Sequence, residues 1–269
     1  MKARTYLGTQ GWNYEGWVGP FYPRGSKPKE LLSLYGRIFD TVEVDSTFYA
    51  IPSENSIKGW AERTPKDFKF SLKLPSEITH KNRLRESQEV FELFMQRVNL
   101  LGEKLGCVLI QLPPDFSPRE YPAFSSFINL LPSTGHFAVE FRDANWLTDQ
   151  TISLLANRNI ALALTDSRWI NRRLSFGLIE NYTTDFAYVR WLGLRDLTDY
   201  SHIQIDRSRE LAEWAEAFAV LQNKTKQLYG YFNNHFQGHS PESCNQFKTL
   251  LGLPVTRPDS LVKQPSLFS

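Results

Sequence analysis

Several short segments of the chain alternate apolar and polar residues, which is the pattern of a β-strand with one buried face. In residues 68–74 the phenylalanines and leucines fall on one face, and the lysines and Ser71 fall on the other. Residues 41–45 and 137–142 alternate in the same way. If helices cover the apolar face, the polar face lines the interior of a barrel.

Segments with apolar residues at helical spacing separate the predicted strands. Between residues 90 and 101, for example, apolar side chains recur every three or four residues, as on the buried face of an amphipathic helix. Eight strands are predicted, beginning near Tyr6, Thr41, Phe68, Gly106, Phe137, Ile160, Phe186 and Leu228. Helical periodicity is weak over residues 167–184, so a long loop is expected in place of a sixth helix.

The alternation of eight strands with helices predicts an α/β fold of one domain, a (β/α)8 barrel of the TIM type. We assign this barrel to residues 1–252. Residues 253–269 contain three prolines and no helical stripe, so they are predicted to form a short mobile tail.

The composition fits one large domain. The chain has 269 residues, of which 41% are hydrophobic, and this is enough for a single core. With 31 basic and 29 acidic residues, the net charge of +2 gives no general attraction to nucleic acid or membranes. Cys107 and Cys244 are isolated, and the chain starts without a long apolar run. A cytoplasmic protein without disulfides, leader or membrane partner is predicted.

Charged and amide side chains stand at the ends of seven consecutive predicted strands. They are Glu43, Lys73, Gln111, Glu140, Asp166, Arg190 and Asn233. Active sites of TIM barrels lie at this end of the strands. Buried charges cost several kcal/mol unless they are paired, so an active-site mouth is the favoured interpretation. A structural ion network is the alternative.

The strand-end residues divide into predicted catalytic and substrate-binding groups. The predicted catalytic residues are Glu43, Lys73, Glu140 and Asp166. The carboxylates would act as acid, base or metal ligands, while Lys73 and Arg190 would hold an anion. The predicted substrate-binding residues are Arg190, Arg142, Gln111, Asn233, Asn234 and, from a basic loop, His80. The two asparagines could instead form an Asx-turn into the last helix.

The predicted loops near the seventh strand form a basic region. TIM barrels often bind phosphate through the loops after strands 7 and 8. Arg190 and Arg195 lie in this region, and Arg168, Arg172 and Arg173 are close in sequence. These arginines either hold a phosphate group or form a solvated rim.

Aromatic residues are frequent after the first and second predicted strands. We assign Trp12, Tyr14 and Tyr49 to substrate binding, because aromatic rings stack on sugars and bases. The alternative is that the aromatic residues around Trp12 only close one end of the barrel.

Signals for a metal are weak. The strand-end carboxylates could bind Mg²⁺ or Mn²⁺, but Lys73 and Arg190 could already neutralise them. His235 and His239 could join a metal site or stay solvated. The sequence contains no P-loop, dinucleotide fingerprint, HExxH or GxSxG motif. No cofactor and no metal ligand is therefore assigned.

Several motifs along the chain carry a family resemblance. They are GTQGWNY at residues 8–14, VEVDSTFY at 42–49, ITH at 78–80, QLPP at 111–114, AVE at 138–140 and YFNN at 231–234. Together they resemble the YecE-like DUF72 (UPF0759) family across nearly the whole barrel. The resemblance implies a TIM-type barrel, likened to sugar isomerases and to endonuclease IV, with no established activity. The family usually has serine in place of Gln10 and asparagine in place of Asp45.

The C-terminal segment resembles a docking peptide. Gln264, Leu267 and Phe268 fit the Gln-x-x-Leu-Phe pattern with which bacterial DNA-processing proteins bind the replication sliding clamp. A glutamine can hydrogen-bond while a Leu-Phe pair enters an apolar pocket. The tail is therefore predicted to bind a sliding clamp, and a tail without a partner is the alternative.

The leading functional hypothesis is an enzyme that acts on a phosphate-bearing substrate by acid–base chemistry of carboxylates. The substrate would be nucleic acid, or a nucleotide or sugar-phosphate fragment. The first alternative is a sugar isomerase or epimerase that uses the same carboxylates. The second is a noncatalytic nucleic-acid-binding module.

Overall fold

The fold is a barrel of parallel strands surrounded by helices. The computed structural model describes residues 3–180, 182, 184–194 and 196–261. The strands in these residues are Arg4–Gln10 (β1), Thr41–Val44 (β2), Lys69–Lys73 (β3), Leu105–Gln111 (β4), Phe137–Glu140 (β5), Ala161–Leu162 (β6), Leu164–Ser167 (β7), Phe186–Gly193 (β8) and Gln227–Phe232 (β9). They form one sheet in the order β6-β5-β4-β3-β2-β1-β9-β8-β7.

Strands β6 and β7 together fill one of the eight strand positions of the barrel. β6 and β7 follow each other in the chain and are separated only by Ala163. β6 pairs with β5, and β7 pairs with β8, so the two halves together close the ring. The Ala163 N–H also donates to the Val139 carbonyl at 2.8 Å. The predicted (β/α)8 barrel of the TIM type is confirmed.

Helices surround the sheet. In the described residues they are Pro28–Tyr35 (α1), Glu54–Glu62 (α2), Gln88–Val98 (α3), Tyr121–Leu130 (α4), Asp149–Asn157 (α5), Arg172–Ile179 (α6), Ser208–Lys224 (α7), Asn234–Gln237 (α8) and Ser240–Leu250 (α9). None of these helices has the length and apolar character needed to cross a bilayer. The expected loop in place of a sixth helix is wrong, because α6 occupies that region. Asn171 begins α6 by accepting hydrogen bonds from the N–H groups of Arg173 and Leu174 at 3.0 and 3.2 Å.

Alternate residues of the strands enter two separate apolar cores. The inner core fills the barrel with Tyr6, Cys107, Leu109, Ala138, Ala161, Ala163, Phe186, Tyr188, Tyr229 and Tyr231. The outer core lies between the sheet and the helices and includes Trp191, Trp214 and Phe218. Because large tyrosines fill the lumen, a ligand can reach the interior only through the polar end.

The last described residues lie against the barrel. Pro258–Leu261 form a short 3₁₀ turn. The Ser260 carbonyl accepts a hydrogen bond from Arg37 Nη2 at 3.1 Å. Residues 262–269 are outside the described part of the chain. The predicted clamp-binding residues fall there: Gln264, Leu267 and Phe268.

Candidate active site

An arginine at the polar end of the barrel joins two glutamates. Arg190 lies on β8, and only 3% of its side chain is exposed. Its Nη2 atom donates to Glu43 Oε1 at 2.7 Å, and its Nε atom is 3.1 and 3.0 Å from the two carboxylate oxygens of Glu43. Its Nη1 atom donates to Glu140 Oε2. One guanidinium therefore bridges carboxylates from β2 and β5 across the lumen.

The register of the sheet explains why these side chains meet. Arg190 is level with Tyr231 on β9, and Glu140 is level with Gln111 on β4. Glu43 is level with Ser71 on β3. Because paired residues of parallel strands point to the same face of a sheet, all of these side chains enter the lumen. The alternation visible in the sequence therefore produces the cluster.

Hydroxyl groups support the cluster from the inner core. The Tyr188 hydroxyl donates to Glu43 Oε2 at 2.5 Å. The Tyr231 hydroxyl lies 2.7 Å from Thr41 Oγ1 and 2.8 Å from Ser71 Oγ. Both oxygens of the buried Glu43 carboxylate thus have donors, as a buried charge requires. The sequence did not mark Tyr188, because an apolar strand position gives no sign of a partner across the barrel.

Burial and charge act against each other in this cluster. Burial raises the pKa of Glu43 to about 7, although Arg190 opposes the rise. Burial also acts to raise the pKa of Glu140, but Arg190 and Arg142 outweigh it and hold that pKa below its ordinary value. Burial acts to lower the pKa of Arg190, whereas the two glutamates raise it well above its ordinary value. Glu43 is therefore the member whose charge depends most on pH.

A third carboxylate lies above the cluster and keeps free hydrogen-bonding capacity. Asp45 follows β2, and 34% of its side chain is exposed. Its Oδ1 atom is 3.8 Å from Arg190 Nη2 and has no hydrogen-bond partner in the described part of the chain. Oδ1 itself is buried, so a ligand at the mouth would meet the exposed part of the Asp45 side chain. The predicted catalytic set omitted Asp45, although its spacing of two residues from Glu43 was a usable signal.

Lys73 brings an amino group to the mouth at the end of β3. Its Nζ atom lies 3.9 Å from the centre of the Phe48 ring. Within the described residues, Nζ makes no hydrogen bond and no ion pair. Burial lowers the pKa of Lys73 to about 8; Asp45 opposes this change and Arg190 adds to it. Lys73 is therefore deprotonated more easily than an ordinary lysine, although most of it stays charged near physiological pH.

His80 is a neutral imidazole on the other side of the same phenylalanine. Its ring meets the Phe48 ring edge-on, with 4.8 Å between the centres. Its Nδ1 atom is 2.8 Å from Thr79 Oγ1. Burial, together with the positive charges of Lys73 and Arg142, lowers the pKa of His80 to about 4. Near neutral pH the ring offers hydrogen bonds without a charge.

Arg142 connects the buried cluster to the rim. Its Nε atom donates to Glu140 Oε1 at 3.1 Å. Its guanidinium lies over the Trp169 ring, 3.8 Å from the ring centre. Within the described residues only Nε is bonded, so the Nη groups remain available for an anion. Trp169 was not a predicted site residue, because nothing in a loop sequence reveals which ring an arginine will meet.

The predicted aromatic residues differ in accessibility. The Tyr14 hydroxyl donates to the Gln10 carbonyl at 2.9 Å, which holds the ring in place. Trp12 is half-buried and meets Trp60 edge-on, with 5.8 Å between the ring centres. Tyr49 is 82% exposed. Of the three, Tyr49 is the ring with the most freedom to cover a bound molecule.

The predicted amide residues are largely engaged with the protein. Gln111 Nε2 donates to the carbonyl of the next residue at 2.5 Å. Asn233 accepts from the His235 N–H at 2.8 Å, which is the contact of the Asx-turn alternative. Asn234 Oδ1 accepts from Trp17 Nε1 at 3.2 Å and fastens the loop after β1. Asn234 therefore supports the scaffold and does not join the central cluster.

Comparison with known proteins places this geometry in a family. The family described as "Protein of unknown function DUF72" matches residues 6–266. The chain belongs to the DUF72 family. The resemblance carried by the sequence motifs is thereby confirmed.

Two relatives and one structural neighbour illustrate the range of similarity. The UPF0759 protein YecE of Escherichia coli K12 is 32% identical over 168 residues, which are 61% of this chain and only 59% of YecE. A crystal structure of a DUF72 family protein from Thermotoga maritima is 28% identical, with a TM-score of 0.79 over 93% of this chain and 99% of the other. A sugar phosphate isomerase/epimerase from Parabacteroides distasonis is 12% identical, with a TM-score of 0.52 over 93% of this chain and 92% of the other. This last likeness shows a shared fold alone.

The two positions that the resemblance marked as departures from the usual motif, Gln10 and Asp45, lie near Arg190 in this DUF72 protein. The Gln10 amide is 2.6 Å from Asn233 Nδ2. In this orientation Gln10 Oε1 accepts from Asn233 Nδ2; the opposite orientation of the amide would instead place the oxygen 3.2 Å from Arg190 Nε. Asp45 lies 3.8 Å from the same guanidinium. Both departures therefore change the surroundings of one arginine.

Asp166 does not lie in the candidate active site of this DUF72 protein, contrary to its predicted catalytic position. Its neighbour Thr165 is level with Arg190, so Asp166 points to the opposite face of the sheet. Asp166 Oδ2 accepts a hydrogen bond from Trp214 Nε1 of α7 at 3.0 Å. Burial raises the pKa of Asp166, and this hydrogen bond opposes the rise. The prediction was one residue out of phase along the strand.

The predicted basic loops are largely paired with acidic side chains. The ion pairs are Arg168–Asp196 at 2.7 Å, Arg172–Glu213 at 2.5 Å, Arg83–Asp115 at 2.9 Å and Arg85–Glu120 at 2.8 Å. Arg173 is exposed, and Arg195 lies outside the described residues. In the described part of the mouth, Arg142 and Lys73 are therefore the basic groups that keep free donors.

The two histidines considered as metal ligands, His235 and His239, are engaged with the backbone. His235 Nδ1 accepts from the Leu197 N–H at 2.9 Å, and His239 Nδ1–H donates to the Tyr200 carbonyl at 2.8 Å. Across the described ranges, no three His, Cys, Asp or Glu side chains form a group that could hold a metal ion. Binding of Mg²⁺ or Mn²⁺ stays a prediction.

Proposed function

We propose that this DUF72 protein is an enzyme that acts on a small phosphate-bearing substrate, of the sugar-phosphate kind, by proton transfer at the mouth of the barrel. The observation that carries the proposal is the arrangement of charge in two levels. Glu43, Glu140 and Arg190 form a bonded lower level, and Asp45, Lys73 and Arg142 form an upper level with free donors and acceptors.

The lower level holds the upper one in place. Glu43 and Glu140 are at most 1% exposed, and their oxygens accept from arginines and a tyrosine. Groups bonded in this way orient their neighbours and do not meet a substrate directly. We therefore assign positioning roles to Glu43 and Glu140, in place of the direct acid–base roles suggested by the sequence.

Arg142 is the proposed anion-binding residue. Its guanidinium is fixed between Glu140 below and the Trp169 ring beside it. A planar, permanently charged guanidinium with two free Nη groups matches two oxygens of a phosphate group. A fixed donor pair also loses little conformational entropy on binding, which favours a small ligand.

Asp45 and Lys73 are the proposed proton-transfer residues, with His80 as a neutral hydrogen-bonding partner. A general base works best when its pKa lies near the operating pH, and the pKa of Lys73 is lowered to about 8. Asp45 offers a carboxylate oxygen with no partner in the described residues. A carbon-bound proton next to a carbonyl is a suitable target for such a pair, as in isomerisation of a sugar phosphate.

The competing hypotheses depend on features that give them less support. A nucleic-acid-binding surface needs free basic groups along its length, but the basic loops carry ion pairs. The name of the Parabacteroides distasonis neighbour agrees with a sugar-phosphate substrate, and its 12% identity gives that agreement little weight. Docking on a sliding clamp remains a separate proposal that concerns Gln264, Leu267 and Phe268.

A thermal-shift experiment tests the proposal. The purified protein is mixed with D-ribose 5-phosphate or D-glucose 6-phosphate, with the free sugars, and with a short DNA duplex, each with and without Mg²⁺ or Mn²⁺. A ligand at ten times its dissociation constant stabilises the folded state by about 1.4 kcal/mol, which is about 2–3 °C for a chain of this size. We expect at least one sugar phosphate to raise the melting temperature, and its free sugar to leave the melting temperature unchanged.

The matched variants are Arg142→Met and Arg168→Met. Both arginines approach the Trp169 ring, at 3.8 and 5.5 Å, but Arg168 is paired with Asp196 on the surface. The shift should disappear in Arg142→Met and persist in Arg168→Met. Stabilisation by DNA alone, or equal loss in both variants, would contradict the proposal.

A further inference from the structure

The amino group of Lys73 is placed in an unusual way for a lysine. The Nζ atom lies over the Phe48 ring at 3.9 Å and makes neither an ion pair nor a hydrogen bond in the described residues. Lysines that serve the scaffold behave differently. Lys104 Nζ, for example, donates to the carbonyls of Ala61 and Thr64 at 2.6 and 2.8 Å. The fold therefore does not use the Lys73 amine for its own hydrogen bonding.

Burial is the main influence that lowers the pKa of Lys73, and the charged groups around it act in both directions. Arg190 and Arg142 repel its positive charge, and Asp45 and Glu140 attract it. His80, which shares the Phe48 ring, is uncharged near neutral pH. Desolvation next to cationic groups is the known way to make a lysine nucleophilic.

We infer that Lys73 forms a covalent imine with a carbonyl carbon of the substrate. The inference rests on the proposed function, because it needs the phosphate-bearing substrate to be an aldehyde or ketone held by Arg142. It goes beyond that function by replacing simple proton transfer with an enzyme-bound intermediate.

The chemical step needs no reagent beyond protein, substrate and water. The neutral Lys73 amine adds its lone pair to the carbonyl carbon while the carbonyl π pair moves to oxygen, and one proton passes from the nitrogen to that oxygen to give a neutral carbinolamine. The nitrogen lone pair then expels the hydroxyl group, which leaves as water with a proton from the solvent, and a protonated imine remains. The positive imine then withdraws electrons from the neighbouring carbon, so that Asp45 can remove a proton from it. The resulting enamine takes a proton back on that carbon from the protonated Asp45, which re-forms the imine. Water then adds to the imine carbon, and the carbinolamine expels the Lys73 amine and releases the product.

Reductive trapping tests this inference. The protein is incubated near neutral pH with a low concentration of D-glyceraldehyde 3-phosphate and sodium cyanoborohydride, which reduces an imine to a stable secondary amine. Adducts are located by peptide mapping and followed in time by intact mass. At pH 7 a lysine with a pKa of about 8 has about 300-fold more neutral amine than one with the ordinary pKa of 10.5. We expect Lys73 to be modified about tenfold faster than any other lysine.

The variants are Lys73→Arg and, as matched control, Lys69→Arg. Both lysines lie on β3, but Lys69 is at the opposite end and its Nζ donates to the Glu103 carbonyl. Fast labelling should be lost in Lys73→Arg and kept in Lys69→Arg. A thermal unfolding curve for each variant shows whether it is folded.

The results separate the inference from the proposed function. Labelling spread evenly over the lysines, or a fast adduct that persists in folded Lys73→Arg, overturns the imine. If sugar phosphates still stabilise Lys73→Arg in that case, the proposed function survives without a covalent step. If no sugar phosphate stabilises the parent and Lys73 shows no fast adduct, the imine and the proposed function are both refuted.

Discussion

Replacement of Arg190 by methionine tests whether the bonded lower level is built as described. The variant removes the cation that lies between Glu43 and Glu140. Glu140 keeps Arg142 at 3.1 Å, but Glu43 is left with only the Tyr188 hydroxyl as a direct donor in the described residues. The main effect should therefore fall on Glu43, a carboxylate that is 0% exposed.

The expected cost follows from that loss. Breaking a buried ion pair by removing one partner costs about 3–5 kcal/mol, because the other charge stays buried without compensation. For a domain of this size, that corresponds to a fall in the melting temperature of about 5–9 °C. Arg168→Met is the matched control, since Arg168 and Asp196 are 42% and 75% exposed. An exposed pair of this kind is worth at most about 1 kcal/mol.

The pH dependence gives a second and sharper check. Burial already raises the pKa of Glu43 to about 7, and the loss of Arg190 should raise it further. A carboxyl group whose pKa is raised by folding favours the folded state when protonated, and this contribution is lost as the pH rises. The deficit of Arg190→Met should therefore be larger at about pH 8 than at about pH 5.5.

Thermal or urea unfolding of the parent and both variants at the two pH values measures these quantities. Adding Glu43→Gln to Arg190→Met should restore part of the stability, because the orphaned charge is gone. A deficit below about 1 kcal/mol, or one that is equal at both pH values, would refute the bridging role of Arg190.

Two further predictions concern positions outside the cluster. Asp166→Asn should change the free energy of unfolding by no more than about 1 kcal/mol, since Asn Oδ1 can still accept from Trp214 Nε1. The thermal shift with sugar phosphate should stay intact. Loss of that shift in a folded variant would show that Asp166 takes part in ligand binding. Gly193→Ala should destabilise the protein by about 2–6 kcal/mol, because a Cβ there would lie 2.1 Å from the His235 carbonyl oxygen at a φ of +79°. Its control is Gly177→Ala in α6, where a Cβ meets nothing within 4 Å. This variant should be more stable than the parent by about 0.5–1 kcal/mol. Urea unfolding in which Gly193→Ala is as stable as Gly177→Ala would contradict this account.

The fold was predictable because its determinants are local. Alternation over four or five residues fixes which side chains enter the lumen, and each barrel strand repeats that signal. The sixth barrel strand and the helix that follows it were harder to predict. The strand is split at Ala163, and the helix α6 is only eight residues long, so the periodicity available in sequence was short. The capping residue Asn171 was the stronger signal for that helix.

The candidate site was predictable only in part, because its partners are distant in sequence. Strand-end positions identified Glu43, Glu140 and Arg190, but not that one guanidinium would satisfy both carboxylates. The phase of a strand is visible in sequence only where apolar residues mark it. Before Asp166 they do mark it: Leu162 and Leu164 are in phase with Asp166 and lie in the outer core, whereas Ala161 and Ala163 are in phase with Thr165 and lie in the inner core. The prediction took the charged residue at the strand end without using this phase. Contacts such as that of Arg142 with Trp169 depend on loop geometry.

The sequence left two interpretations of the strand-end charges: an active site or a structural ion network. The lower level of the mouth fits the ion network, and the upper level fits the active site. A structural network needs every buried charge to be paired, and the lower level meets that condition without help from above. Asp45 and Lys73 then add charge that the network does not need: Asp45 Oδ1 is buried without a hydrogen-bond partner in the described residues, and Lys73 Nζ faces the Phe48 ring. Folded proteins rarely retain buried polar atoms without partners unless a ligand or a reaction uses them. The free groups, and not the buried glutamates, are therefore where a search for the activity of this protein should begin.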